Sequence, residues 1–168
     1  MLFAFPMVMQ RHNDLALLLG RVAIAAVFIP SGFTKLLHLE GFIASMDGRG
    51  VPFAWLLAPL GALIEFLAGI AVVVGLNVRI ASLLMILFTV AATLIAHRFW
   101  EFQGAARQTQ QTQFFKNLAI VGGFVFLMVN GGGRYCIDRL WQRSYPDVER
   151  RSLRDRRDKT WPVPDLSP

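Results

Sequence analysis

Two ionisable residues, Arg21 and Glu65, interrupt stretches built otherwise almost entirely from Leu, Ala, Ile, Val, Gly and Phe. In an apolar medium a charged side chain at a helix centre costs about 2.5 to 3.5 kcal/mol, so each requires a partner or a watery cavity. Two readings follow. As an ion pair, Arg21 and Glu65 would clip two helices in register; as a working site, Glu65 would carry a proton and Arg21 would contact an anion or a quinone carbonyl. A second group comprises Lys35, His97, Lys116 and Asn117. Its lysines either snorkel to lipid phosphates or form a shallow cationic pocket for an anion, a lipid headgroup or a quinone ring, with His97 as proton acceptor.

Positioning these residues requires elements of a particular kind. The chain has 168 residues, of which 55% are hydrophobic and 17% charged, whereas a soluble domain carries about a quarter charged residues. Crossing ~30 Å of hydrocarbon takes about 20 apolar residues, and four runs reach that length, at about 15–37, 54–76, 80–97 and 114–133. The expected fold is therefore all-α: a polytopic membrane protein with an antiparallel four-helix transmembrane bundle. Residues 1–14, apolar but broken by Pro6 and without a preceding basic region, are expected to lie at the interface rather than to act as a signal peptide. Asn77, Val78 and Arg79 make a link short enough to force a neighbouring hairpin. Residues 39–53 are rich in turn formers, and the Gln/Thr-rich stretch from Arg98 to Gln113 reads as an exposed loop.

Four spans put both termini on one side. Nine of the 17 Lys and Arg residues follow Gly133, and together with Arg11 and Arg79 they outnumber Arg49, Arg98, Arg107, Lys35 and Lys116 on the other side. The positive-inside rule then assigns both termini to the cytoplasm and 134–168 to a basic cytoplasmic tail. Tyr135, Leu140 and Trp141 could seat the first turns of that tail at the headgroups; a solvated tail is the competing reading.

On this topology Arg21 sits about 9 Å inside the first helix, and Glu65 roughly midway along the second. The two depths differ by a few Å, which is the basis for pairing them. Gly61, Glu65 and Gly69 share one face, so a neighbouring helix can come close to the carboxylate. Ser82, Thr89, Thr93 and His97 line one face of the third helix and should look inward; hydroxyls at that spacing usually bond their own i−4 carbonyls.

Other chemistry is poorly supported. The histidines His12, His38 and His97 cannot face one another as haem ligands, and Cys136 and His97 fall on opposite sides, so no metal site is expected. The single cysteine rules out an intrachain disulfide. Gly131, Gly132 and Gly133 lack dinucleotide-site spacing, and with the excess cations outside the apolar part of the chain no nucleic-acid partner is expected.

The chain resembles the DoxX family of small four-helix bacterial inner-membrane proteins. The likeness covers about Leu15 to Leu140. It rests on Arg21 followed by FIPSGFTKLL, on Gly50 and Pro52, on Glu65 within LGALIEFLAG, on AHRFW, on FFKNLAIVGG and on NGGGRYCID, where Cys136 replaces an expected serine. The resemblance implies an association with quinone-linked oxidation or with thiol and sulfur redox chemistry, and many members have no assigned activity. The chain is accordingly expected to be an inner-membrane accessory subunit in quinone-linked or thiol and sulfur redox chemistry, and so a subunit of a quinone-linked oxidoreductase, catalytic residues unknown, binding a quinone or an anionic substrate near Lys35, His97, Lys116 and Asn117 with Arg21 and Glu65 as internal electrostatic support. Its expected partners are membrane lipids and a redox subunit. A non-catalytic membrane scaffold or lipid-binding protein is the alternative.

Overall fold

The computed structural model describes residues 5–139, with side chains from Asn13 onward. It contains five α-helices: α1 (Phe5–Leu37), α2 (Leu39–Asp47), α3 (Ala54–Val74), α4 (Val78–Ala96) and α5 (Gly104–Asn130), with a 3-10 turn at Phe99–Glu101. No strand occurs among the described residues. Four of the helices are long and apolar enough to cross a membrane. They alternate in direction and pack in the order α1, α3, α4, α5, with α5 closing loosely back on α1.

The packing is inverted relative to a soluble bundle. Leu19, Leu67, Leu87 and Phe126 are exposed on the outer surface, whereas the centre is lined by Ala25, Ala58, Ala62, Ala68 and Ala81 around Phe28, Met85 and Phe124. Small residues let the backbones approach where lipid supplies no hydrophobic drive for helix association. At Gly32 the approach is closest: a Cβ there would lie 2.8 Å from the Phe66 backbone nitrogen. Gly69 faces Ile29 and Phe28 in the same seam.

Those contacts set the α1–α3 register and correct several expectations. With Gly32 level with Phe66, α1 stops at Leu37 roughly 10 Å short of where α3 begins. The chain fills that difference with α2, a helix in a stretch expected to be turns. α1 itself begins at Phe5, within the 1–14 stretch expected to precede the first span, and Asp14 is buried. The Gln/Thr-rich segment expected as a loop forms the first turns of α5 from Gly104. The link between α3 and α4 is as tight as expected: Gly75, in the left-handed conformation at φ 78°, donates its N–H to the Ala71 carbonyl and ends α3.

Residues 131–139 are not the start of a free tail. They fold back across the bundle end that carries the α3–α4 turn. The Arg134 N–H donates to Asp14 Oδ1 at 2.9 Å, and the Asn77 N–H donates to Asp138 Oδ2 at 2.7 Å. Leu140, Trp141 and the rest of the basic segment lie outside the described residues.

Candidate functional site

The interior charges are present, but their pairing differs from expectation. Arg21 does not meet Glu65. The register that sets Gly32 beside Phe66 places position 21 level with Gly75, about 15 Å along the bundle from Glu65. Arg21 is fully buried and donates from Nη1 to Cys136 Sγ at 3.2 Å and from Nη2 to the Tyr135 carbonyl at 2.5 Å. It anchors the returning segment, and burial pushes the Cys136 thiol above its ordinary range against the opposing pull of this guanidinium. Positions 21 and 65 come to similar depths only if α1 and α3 share a common boundary, and the α1–α3 offset removes that boundary.

Glu65 pairs instead with Lys35. The distance from Lys35 Nζ to Glu65 Oε2 is 2.6 Å. Helical side chains lean toward their own N-terminus, and for Lys35 that direction leads inward along α1 to the level of the carboxylate. The ammonium also lies 5.2 Å from the centroid of the Phe42 ring and 5.8 Å from that of Phe88, within cation–π range. The pair is sealed on one side only: the Glu65 side chain is 4% exposed and that of Lys35 30%.

The open side of Lys35 faces a cleft of about 610 Å³ between α2, α3 and α4. Phe42, Ser45 and Met46 of α2 form one wall, Leu57, Leu60 and Gly61 of α3 another, and Leu87, Phe88 and Ala91 of α4 the third. Arg49 stands at the mouth, donating from Nη1 to the Ala96 carbonyl at 3.3 Å and so tying the α2–α3 loop to the end of α4. The cleft is apolar along its length, with a hydrogen-bond donor at its floor and a cation at its mouth. Such a space suits an amphiphile with a small polar head.

The other expected pocket residues do not join this cleft or one another in a common cavity. His97 Nδ1 lies 2.8 Å from Gln110 Oε1, and Asn117 donates from Nδ2 to Thr93 Oγ1 at 2.9 Å. Both contacts belong to the α4–α5 seam. Lys116 is exposed on α5. Although all four residues belong to the same half of the bundle, Lys35 and the α4–α5 pair serve different helix seams. The inward stripe on α4 does face the interior: Ser82, Thr89 and Thr93 are buried, and the Thr93 hydroxyl donates to the Thr89 carbonyl. Among the described residues no cluster of His, Cys, Asp and Glu could hold a metal ion.

Sequence reasoning missed Phe42, Phe88 and the role of Arg49. The available signal was Gly32 and Gly69, whose shared need for close contact sets the α1–α3 register and brings Lys35 to Glu65.

Comparison with known proteins places this architecture. The DoxX family profile matches residues 16–98, a stretch that contains Arg21, Lys35, Glu65 and three walls of the cleft. The chain is 32% identical over 123 residues to the inner membrane protein YphA of Escherichia coli K12, covering 73% of this chain and 88% of that protein. The chain belongs to the DoxX family. A second relative of this DoxX chain, the inner membrane protein YqjF of the same organism, is 32% identical over 137 residues, 82% of this chain and 100% of that protein. The uncharacterized membrane protein Rv3486 of Mycobacterium tuberculosis is 23% identical over 150 residues, 81% of this chain and 87% of that protein. No solved structure matches the chain. It is an integral membrane protein of this family.

Proposed function

We propose that this DoxX protein binds the headgroup of a membrane quinone in the Lys35 cleft, as an accessory subunit in quinone-linked or thiol and sulfur redox chemistry. In this reading the chain sits in the inner membrane with both termini cytoplasmic, so the cleft mouth at Arg49 faces the periplasm. The observation that carries the proposal is the state of Lys35. Glu65 cancels its charge, while its ammonium, with three N–H donors, keeps donors for the cleft. A floor of that kind favours a neutral carbonyl acceptor over an anionic headgroup, and Phe42 and Phe88 offer faces to a flat ring. The chain supplies binding and orientation; electrons would come from a partner redox subunit.

The test is calorimetric titration of the protein in nanodiscs with a short-tailed ubiquinone analogue. Saturable binding is expected, weakened at least about tenfold in the double variant Lys35→Met/Glu65→Met, which removes the donor without stranding the buried carboxylate. Absence of binding, or equal affinity in the double variant, would overturn the quinone reading and favour the scaffold or lipid-binding alternative. Quinol-dependent oxygen uptake or thiosulfate oxidation by membranes lacking the protein tests the redox role separately; unchanged rates would refute it.

A further inference from the structure

Of the walls of the Lys35 cleft, α2 is the one too short to cross a membrane. Phe42, Ser45 and Met46 line the cleft from it, yet none of its residues is buried, whereas α3 and α4 both send side chains into the bundle centre. α2 packs against α3 and stands apart from α4 across the cleft. Its backbone bonds are local: the N–H groups of Gly48, Arg49 and Gly50 donate to the Ala44, Met46 and Asp47 carbonyls, and that of Val51 donates to Met46. Residues 39–51 therefore form one unit. Two residues with non-helical backbones bracket it. His38, at φ −117° and ψ 47°, breaks the path from α1, and Phe53 is left-handed at φ 53°, a strained conformation for a bulky side chain. Strain of this kind collects at switch regions, and hinges are a few such element-terminal positions.

Little fixes this unit over the cleft. Val51 is the only buried residue between His38 and Phe53. The Phe42 ring centroid lies 5.2 Å from the Lys35 ammonium. Toward α4 the side-chain tie is the exposed bond from Arg49 to the Ala96 carbonyl at 3.3 Å. The last carbonyls of a helix have no intrahelical donor, and the negative end of the α4 dipole favours a guanidinium there, so the tie is well placed. It is also open to solvent, which can replace it. We propose that α2 and its loop form a hinged lid on the Lys35 cleft, latched by Arg49 to the end of α4, and that the opening of this lid controls entry to the cleft. The proposal rests on the reading of the cleft as a binding space and is independent of the headgroup that occupies it.

The experiment measures spin-label distances by pulsed electron resonance on the full chain in nanodiscs, with Cys136→Ser as background and no ligand added. One label goes on the lid at Gly41→Cys, where nothing lies within 4 Å of a Cβ, and the other on α4 at Val90→Cys, an exposed position that does not line the cleft. Arg49→Ala should add a population longer by at least about 5 Å, the scale of a one-turn displacement. A control pair, Val90→Cys with Leu118→Cys on α5, should keep its distance. A charged methanethiosulfonate reagent should also modify Ala92→Cys, on the cleft wall of α4, at least about fivefold faster once Arg49 is removed, because local opening sets access. An unchanged Gly41–Val90 distribution in Arg49→Ala would make α2 a fixed wall and overturn the proposal. A shift of both pairs would overturn it as well, since Arg49 would then be holding the bundle and not a lid. Failure of a short-tailed ubiquinone analogue to bind would count against the quinone reading alone, because these measurements contain no quinone.

Discussion

Lys35 reaches inward along α1 to meet Glu65 of α3 at 2.6 Å, with the carboxylate buried and the ammonium open on one side to a cleft. The pair is thus both the clip between two helices and the floor of that cleft. Removing one partner leaves the other without its counter-charge in apolar surroundings, which costs about 3–5 kcal/mol for a fully buried pair. Lys35 is partly exposed, so Glu65→Leu should fall below that range and Lys35→Leu nearer to it. The double variant Lys35→Leu/Glu65→Leu should recover most of the loss. Thermal unfolding in detergent across this cycle checks the coupling; additive single effects would mean that the two residues act independently.

The α1–α3 register predicts a glycine effect. Gly32→Ala would push a methyl against the Phe66 backbone, which cannot yield as a side-chain tip could. Overpacking of this kind costs about 1–3 kcal/mol, and the helices should part enough to weaken the Lys35–Glu65 contact. Gly20→Ala, where nothing lies within 4 Å, should be neutral or slightly stabilising. A similar melting temperature for both variants would contradict the packing.

Cys136 should respond to pH in a defined direction. Burial raises its pKa, so in the folded protein the thiol stays protonated beyond the pH at which an unfolded-chain cysteine ionises. Stability from this group is fully present below about pH 8.5 and is lost as pH rises through the interval up to the folded value. Maleimide labelling should be slower than for a free thiol at neutral pH. Arg21→Met removes the guanidinium that favours the thiolate, but it also releases the Tyr135 carbonyl and loosens the 131–139 segment. Denaturant-dependent labelling should then show a lower opening energy for Cys136, by roughly 1.5–3 kcal/mol for lost charged hydrogen bonds.

His97 provides a negative control for the cleft. Its ring nitrogen engages Gln110 on the α4–α5 seam. His97→Ala should cost about 1 kcal/mol of stability and leave the affinity for a quinone analogue within twofold of the unmodified protein. A large affinity loss with intact folding would move the binding site to the α4–α5 face.

Much of the architecture was legible in the residue order. Four apolar runs, the tight link after Gly75 and the inward stripe of Ser82, Thr89 and Thr93 followed from length and periodicity, because a helix in lipid must be long, apolar and internally hydrogen-bonded. That Arg21 and Glu65 needed partners followed from the cost of burying charge. Which partners they took did not. A pairing between helices depends on their axial offset, and this offset is decided by contacts such as Gly32 on Phe66 that join residues distant in sequence. The same offset ends α1 short of the level at which α3 begins, makes room for α2 and opens the cleft beneath Arg49, while the return of residues 131–139 gives Arg21 the neutral acceptors that apolar periodicity could not specify.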